Sequence, residues 1–301
     1  MRELPEPIID LHEVEAVVTA AIRGGGIHSL RLLGHGEISI VLAWPQAEPT
    51  VALKRVPPFR NAAEARRYVD VCHRFFDTLR AADVAIWPTE LLTLIRPDGR
   101  AVVYHRQPIA DATQLGSNVL RNAPPADSHA MLDAIVDAAA QVCSPTVGFD
   151  VQVANWLWDG TTATQLDFTS PFTLTASRKD ITYDAHAFLQ EYPLVLRPYL
   201  RRELTTIIQR YTTAEGALAD MVSNMLKEGL DAWVDTAIAT INQRLGVAVH
   251  RETAQRMLDE DRKFMPMVLK LKKSQRWWLH HTGRRYEALL PEETTYDRPR
   301  Q

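Results

Sequence analysis

Hydrophobic residues recur with helical spacing near the start of the chain and again after residue 60. Between residues 9 and 23 they return every three or four positions, which predicts an amphipathic helix that ends at Gly24-Gly25-Gly26. The same spacing predicts a long helix over residues 61–82. Two β-rich stretches, 29–44 and 50–56, lie between these helices and are separated by the turn-forming sequence PQAEP.

A hairpin and a helical second half complete the predicted elements. Residues 90–95 and 101–104 are predicted to pair around a turn at Asp98-Gly99, and residues 156–168 contain a shorter hairpin. Further helices are predicted over 128–142, 184–190, 193–211, 213–229, 231–245 and 250–269. The chain is therefore predicted to be α+β, with a small antiparallel sheet and one helix followed by a mainly helical part.

Composition limits the classes of protein that fit this pattern. The chain has 301 residues, 46% hydrophobic and 24% charged, which suits a globular protein with one large domain or two lobes. Its formal charge of −3 argues against a dedicated nucleic-acid-binding protein. Cys72 and Cys143 have no paired or metal-like spacing, which indicates a reducing compartment. Without an apolar leader or a run of about 18 apolar residues, we expect a cytoplasmic protein with no membrane span.

Two short motifs lie in the β-rich first part of the chain. The sequence GHGEIS, residues Gly34–Ser39, puts glycines in a turn between two strands, where backbone N–H groups can approach a phosphate closely. Such a turn is also an ordinary feature of β-hairpins. The sequence VALK ends at Lys54, whose charge in an apolar strand is either an edge-strand charge or a cation directed into a cleft.

Two further motifs follow the predicted helix over 128–142. Asp150 and Asn155 belong to DVQVAN in the loop after that helix, and Asp167 belongs to LDFT at the end of a short strand. An acid at a strand end can simply cap a turn. A carboxylate and an amide are also the kind of oxygen ligands that Mg²⁺ accepts, together with phosphate oxygens and water.

In this order the four motifs resemble those of the protein-kinase-like superfamily, and more closely its aminoglycoside-phosphotransferase-like branch of small-molecule kinases. The resemblance covers about Leu30–Phe172. It implies a bilobal protein-kinase-like fold. Residues 1–107 would form an N-terminal helix and the nucleotide-gripping N-lobe, and residues 108–301 a helical C-lobe with the catalytic loop and a C-terminal helical extension.

The resemblance also implies how ATP would be held. The residues that would contact ATP are Gly34, Gly36 and Ser39 in the turn, Lys54 in the strand, and His105 and Gln107 in the segment 104–107, whose backbone would bind adenine. Lys54 would pair with the α- and β-phosphates. A carboxylate on the following helix would orient Lys54; Glu64 is the first candidate and Asp70 the second.

The acids of the later motifs receive catalytic roles from the same resemblance. Asp150 would orient or deprotonate the attacking hydroxyl, and Asn155 and Asp167 would hold Mg²⁺. The chain has Gly148-Phe149 where the superfamily usually has His-Arg or His-Gly, and it has Thr169 in place of a glycine. The phenyl ring of residue 149 would replace the missing histidine by packing.

Together these features predict an ATP- and Mg²⁺-dependent phosphotransferase acting on a hydroxyl group of a small molecule. A catalytically weak or inactive pseudokinase-like module that binds a nucleotide or ligand is an alternative, favoured by the departures at Gly148-Phe149 and Thr169. A peptide or protein Ser/Thr kinase of a biosynthetic pathway is another. It would use the basic region Lys270–Arg285, around Trp277-Trp278, to hold an acidic peptide or protein. Alternatively, these tryptophans pack on the helical part while the charges stay solvated.

Overall fold

The computed structural model describes residues 9–24, 29–35, 40–190, 192–282 and 286–287. Within these ranges the helices are α1 (Leu11–Gly24), α2 (Ala62–Ala81), α3 (Gly116–Asn122), α4 (Ala130–Val142), α5 (His186–Leu189), α6 (Arg197–Tyr211), α7 (Ala214–Lys227), α8 (Asp231–Leu245) and α9 (Arg251–His281). The strands are β1 (Leu32–His35), β2 (Ile40–Trp44), β3 (Val51–Arg55), β4 (Ala85–Ile86), β5 (Glu90–Ile95), β6 (Ala101–Pro108), β7 (Trp156–Trp158) and β8 (Ala163–Gln165). The predicted α+β class is confirmed.

The strands form two sheets. The first is antiparallel, with five strands in the order β1-β2-β3-β6-β5. The second has the order β4-β8-β7, in which β4 is parallel and β7 antiparallel to β8. Because β4 follows α2 and β8 ends two residues before Asp167, the small sheet joins the first part of the chain to the segment that carries this acid.

Helices α1 and α2 cover opposite faces of the five-stranded sheet. Val18 of α1 packs in one buried cluster with Leu53 of β3 and Tyr104 of β6. Tyr68 of α2 belongs to a second, larger cluster that includes Val103 of β6 and the core of the helical part. Since successive side chains of a strand point to opposite faces, residues 103 and 104 contact different helices.

The same alternation decides where the charged residues of β3 point. Leu53 and Arg55 face α1, where the guanidinium group of Arg55 donates to both carboxylate oxygens of Glu15 at 2.8 and 2.9 Å. Lys54 lies between them and therefore points to the opposite face, towards α2 and the helical part. Its strand pairs with β2 on one side and β6 on the other, so Lys54 is not an edge-strand charge.

A buried ionic network fixes α1 and the C-terminal residues to the sheet. Glu15 also accepts a hydrogen bond from the Tyr104 hydroxyl group, and Arg55 donates to the backbone carbonyl of Glu287. The Glu287 carboxylate in turn accepts from Arg96 at 2.8 Å. Burial alone would raise the pKa of Glu15, but the charge and hydrogen bonds of Arg55 outweigh it and the pKa is lowered.

Two elements are longer than the sequence predicts. β6 continues through Pro108 rather than ending at residue 104. α9 continues through Pro266 to His281. Its inner face is completed by Lys272 and Gln275, which are polar but buried, so the apolar periodicity ends before the helix does. No helix in the described ranges is long and apolar enough to cross a membrane.

Candidate functional site

Lys54 of β3 forms an ion pair with Asp167, which follows β8. The Lys54 side chain is 11% exposed and the Asp167 side chain 33% exposed, so the pair lies at an opening rather than in the core. Burial alone would raise the pKa of Asp167, but the charge of Lys54 and hydrogen bonds from Lys54 and Thr169 lower it to about 2. Asp167 is therefore ionised at neutral pH.

Thr169 holds the Asp167 carboxylate in place. Its backbone N–H and its hydroxyl group both donate to Asp167 Oδ1, at 2.9 and 2.7 Å. A glycine at position 169 would keep the first of these hydrogen bonds and lose the second. The threonine thus fixes the acid through its own side chain.

Asp150 and Asn155 lie close to this ion pair. The backbone N–H of Leu166 donates to the carbonyl oxygen of Asn155 at 2.8 Å, which brings the loop 150–155 beside the segment that carries Asp167. Burial, and after it the charges of Asp220 and Asp167, raise the pKa of Asp150 to about 7. A hydrogen bond from the Asn155 side chain acts in the opposite direction. Asp150 can therefore gain or lose a proton near neutral pH.

Gln165 connects the two acids through the backbone. It is fully buried, and its Nε2 donates to the carbonyl oxygens of Asp150 at 3.3 Å and of Asp167 at 3.1 Å. Its Oε1 is buried without a hydrogen-bond partner among the described residues. The Gln165 amide therefore holds the segments of Asp150 and Asp167 at a fixed separation, and its own oxygen makes no hydrogen bond.

A third acid, Asp220 of α7, lies on the other side of Asp150. Asp220 Oδ2 accepts from the Tyr211 hydroxyl group at 2.5 Å, from Asn224 Nδ2 at 2.9 Å and from Gln152 Nε2 at 3.4 Å. Burial raises the pKa of Asp220. Asp220 is therefore the group through which α7 contacts the loop and biases the proton affinity of Asp150.

Phe149 packs in the core beside Gly148, the position at which the resemblance implies a histidine. Its ring is buried and lies 5.9 Å from the ring of Trp156 and 6.3 Å from that of Phe75, measured between centroids. Gly148 before it is closely packed, because an added Cβ would lie 3.0 Å from Tyr211, closer than an ordinary contact. The loop 148–155 is thus anchored by packing rather than by a polar side chain at position 149.

The predicted pairing of Lys54 with Glu64 is wrong. Glu64 instead forms an ion pair with Arg60 at 2.8 Å, and its backbone N–H is capped by the side chain of Asn61. Glu64 lies in the first turn of α2, and Arg60, just before the N-cap residue, pairs with both Glu64 and Asp184. The second candidate, Asp70, is exposed.

The segment 104–107, predicted to bind adenine through its backbone, lies within β6, where its backbone pairs with β3 and β5. The side chains of His105 and Gln107 are buried. Gln107 Nε2 donates to Thr89 and to the Leu166 carbonyl oxygen, so it stabilises the approach to Asp167 instead. The connection from the sheet to the helical part begins after Pro108, the last residue of β6.

The predicted phosphate-binding turn is only partly described. Gly34 lies in β1, paired with Val41 of β2, and an added Cβ there would meet Val41 at an ordinary 3.7 Å. Gly36 and Ser39 lie outside the described residues. β1 and β2 pair antiparallel, and β2 pairs with β3 on its other side.

Asp167 and Asn155 have the donor chemistry that Mg²⁺ requires. One is an ionised carboxylate and the other a neutral amide, and the Leu166–Asn155 hydrogen bond holds them in neighbouring segments. In the described ranges no group of three or more His, Cys, Asp or Glu side chains is arranged around a metal position. A cation here would need its remaining ligands from phosphate oxygens and water.

Sequence reasoning missed Gln165, Asp220 and Tyr68. The last donates from its hydroxyl group to the Thr169 carbonyl oxygen at 2.7 Å and lies 2.9 Å from His105 Nε2. The position of Gln165 two residues before Asp167 was the usable signal for it. Tyr68 and Asp220 carried none, because each lies on a helix whose partners come from distant parts of the chain.

Fold and site together define an α+β protein in which a β-strand lysine pairs with an acid beside a second acid that titrates near neutral pH. The chain belongs to a family of unknown function (DUF6206), which matches residues 14–276 and so spans all of these groups. A comparison with curated proteins found no match.

Proposed function

We propose that this protein is an ATP- and Mg²⁺-dependent phosphotransferase that acts on a hydroxyl group of a small molecule, with a bilobal kinase-like arrangement. The observation that carries the proposal is the Lys54–Asp167 ion pair beside Asp150. A lysine on an inner strand, an ionised acid after a short strand and an acid in the preceding loop are the groups that phosphoryl transfer needs.

Each residue has a separate task in this proposal. Lys54 holds the α- and β-phosphates of ATP. Asp150 accepts the proton of the substrate hydroxyl while the oxygen–phosphorus bond to the substrate forms and the bond to ADP breaks. A pKa of about 7 suits this task, since about half of the carboxyl groups are ionised at neutral pH and the carboxylate is basic enough to take a proton. Thr169 and Gln165 fix the acids in position.

Asp167 and Asn155 would hold Mg²⁺, which when bound neutralises negative charge on the phosphates. Asp167 suits this role because its low pKa keeps it ionised. Asn155 suits it because an amide oxygen adds a ligand without adding charge. Most of the rate enhancement would come from positioning and charge neutralisation, because phosphoryl transfer requires little covalent chemistry from the protein.

The test is ADP release from Mg-ATP in the presence of a panel of hydroxylated metabolites, with phosphate transfer verified by mass spectrometry. We expect turnover with at least one compound, abolished in Asp150→Asn and retained in Asp159→Asn, an exposed turn acid. Equal turnover in Asp150→Asn would refute the assigned base. Nucleotide binding without turnover across the panel would support the pseudokinase-like alternative.

A peptide kinase is a second candidate, favoured by the exposed aromatic residues of α9. Trp277 is 62% and Trp278 45% exposed, so neither tryptophan is buried on the helical part. The chain has no Asp or Glu from Arg262 to Tyr286, so this face attracts acidic partners. We expect a fluorescein-labelled acidic peptide to bind, with affinity lost in Trp277→Ala and weakened by salt. Binding to the variant at undiminished affinity would exclude this surface.

A further inference from the structure

The hydroxyl group of Tyr68 joins three elements at one point. It donates to the backbone carbonyl of Thr169 at 2.7 Å and lies 2.9 Å from Nε2 of His105. Tyr68 comes from α2, His105 from β6, and Thr169 from the segment after β8. All three groups are buried. These contacts lie on the face of the sheet to which Lys54 points.

These contacts close a ring that contains the Lys54–Asp167 ion pair. Lys54 and His105 are register partners across β3 and β6. His105 contacts Tyr68, Tyr68 holds the Thr169 carbonyl, and Thr169 holds the Asp167 carboxylate through its N–H and hydroxyl group. The Asp167 carboxylate returns to Lys54. We therefore expect the loss of any one of these contacts to alter the geometry of the Lys54–Asp167 ion pair.

The proton positions in this ring follow from donor and acceptor chemistry. A backbone carbonyl only accepts, so the single phenolic proton of Tyr68 must point to Thr169. The hydroxyl oxygen is then the acceptor for His105, whose Nε2 must carry a proton. Burial and the charge of Lys54 lower the pKa of His105 to about 3, so its imidazole is neutral. With the proton on Nε2, Nδ1 of the same imidazole is unprotonated.

We propose that Tyr68 is a positioning residue that takes the place of the helix carboxylate and couples α2 to the Lys54–Asp167 pair through His105 and Thr169. A carboxylate at this point would compete with Asp167 for Lys54. The neutral tyrosine–histidine link fixes the same elements and leaves the lysine charge to Asp167 and to the phosphates. The expected effect on phosphate binding rests on the proposed function. The contacts of Tyr68 with His105 and Thr169 do not depend on it.

Tyr68→Phe removes the hydroxyl group and keeps the ring, which packs on Phe59 and Tyr183 at centroid distances of 5.1 and 5.7 Å. Tyr183→Phe is the matched control. It removes a hydroxyl group from the same aromatic cluster without touching the link between His105 and Thr169. A comparison of these variants separates the hydrogen bonds from general packing.

The first measurement is the ¹⁵N NMR spectrum of histidine-labelled full-length protein at neutral pH, with His105 assigned from its loss in His105→Gln. We expect the neutral Nε2–H tautomer. A dominant Nδ1–H tautomer would overturn the link, whatever the protein binds, and this holds even if Tyr68→Phe does not fold.

The second measurement is hydrogen exchange by mass spectrometry. In Tyr68→Phe we expect peptides covering residues 168–174 to exchange about tenfold faster, with no such change in Tyr183→Phe. Equal acceleration in both variants, or none in either, would contradict the proposal. In the same samples Mg-ATP should bind about tenfold more weakly to Tyr68→Phe. A wild-type protein that binds no Mg-ATP would refute the proposed function. In that case the His105 tautomer and the hydrogen-exchange rates would still test the contacts of Tyr68 with His105 and Thr169.

Discussion

Lys54 and Asp167 form an ion pair between an inner strand of the five-stranded sheet and the segment that follows the small second sheet. The pairing follows from two local facts. Side-chain alternation in β3 turns Lys54 away from α1, and the hydroxyl group of Thr169 turns the Asp167 carboxylate towards it. Thr169 and Gln165 contact Asp167 directly, whereas Asp220 acts on the neighbouring Asp150.

The first prediction concerns the pH dependence of turnover. Asp150 must be ionised to accept a proton, and its pKa is raised to about 7 by burial and by the charges of Asp220 and Asp167. We therefore expect kcat/KM to rise with pH through about 7 and then level off. Asp220→Asn removes one of the charges that raise this pKa, so the rise should move to lower pH. An unchanged profile in Asp220→Asn would contradict the electrostatic coupling between the two acids.

The second prediction concerns stability at the same residue. The folded-state pKa of Asp150 lies above its ordinary value of 3.8. The folded protein therefore binds more protons between these two values, and stability falls as pH rises through about 7. Asp150→Asn should abolish this loss and raise the free energy of unfolding by about 4 kcal/mol at about pH 8, with little gain at about pH 4. Denaturant titrations at both pH values measure this; a gain independent of pH would argue against a titrating carboxyl group.

The overall fold was predictable from the sequence where burial produced a regular period. α2 and α8 lie within a residue of their predicted bounds because their inner faces are apolar. β6 and α9 were underestimated because buried polar residues such as His105, Gln107 and Lys272 interrupt the apolar pattern. The hydrophobic periodicity of the sequence therefore identifies only those buried positions that carry apolar side chains.

The sequence predicted which residues lie in the candidate site, but it did not predict which contacts they make. Lys54, Asp150 and Asp167 lie near one another, as the motif order implies. The pairing of Glu64 with Arg60 was not predictable, because spacing along the chain does not tell which way the first turn of α2 faces. The contacts of Tyr68 and Gln165 likewise depend on tertiary packing.

The third prediction tests the bridge between the two acids. Gln165→Met keeps the side-chain length and removes both hydrogen bonds to the carbonyl oxygens of Asp150 and Asp167. We expect kcat to fall about tenfold with a smaller change in KM, because the acids lose their fixed separation. Stability should fall by about 1–3 kcal/mol, because two carbonyl oxygens lose their donor, although the unpaired Oε1 is removed as well. Gln141→Met, an exposed change on α4, is the control; equal effects from both variants would rule out a positioning role.

The fourth prediction concerns the network that holds α1 on the sheet. Glu15→Gln removes the carboxylate that pairs most closely with the buried guanidinium group of Arg55, leaves only the Glu287 carboxylate at 3.9 Å, and should lower the free energy of unfolding by about 3 kcal/mol. The pKa of Glu15 is lowered from 4.5, so its contribution is present above that value and is lost as pH falls through the folded-state pKa. Glu13→Gln, on the exposed side of the same helix, should have almost no effect. Similar losses in both variants would contradict the network.

The most direct test of the proposed site is isothermal titration calorimetry of Mg-ATP into the purified protein, with and without EDTA, for wild type, Lys54→Ala and Asp167→Ala. We expect Mg-ATP to bind wild type only when the metal is present, and we expect this binding to be lost in Lys54→Ala and Asp167→Ala. The control variant Asp159→Ala should bind as wild type does. Binding that is unchanged in either Lys54→Ala or Asp167→Ala would contradict the proposed site, and so would a wild-type protein that binds no nucleotide at any accessible concentration.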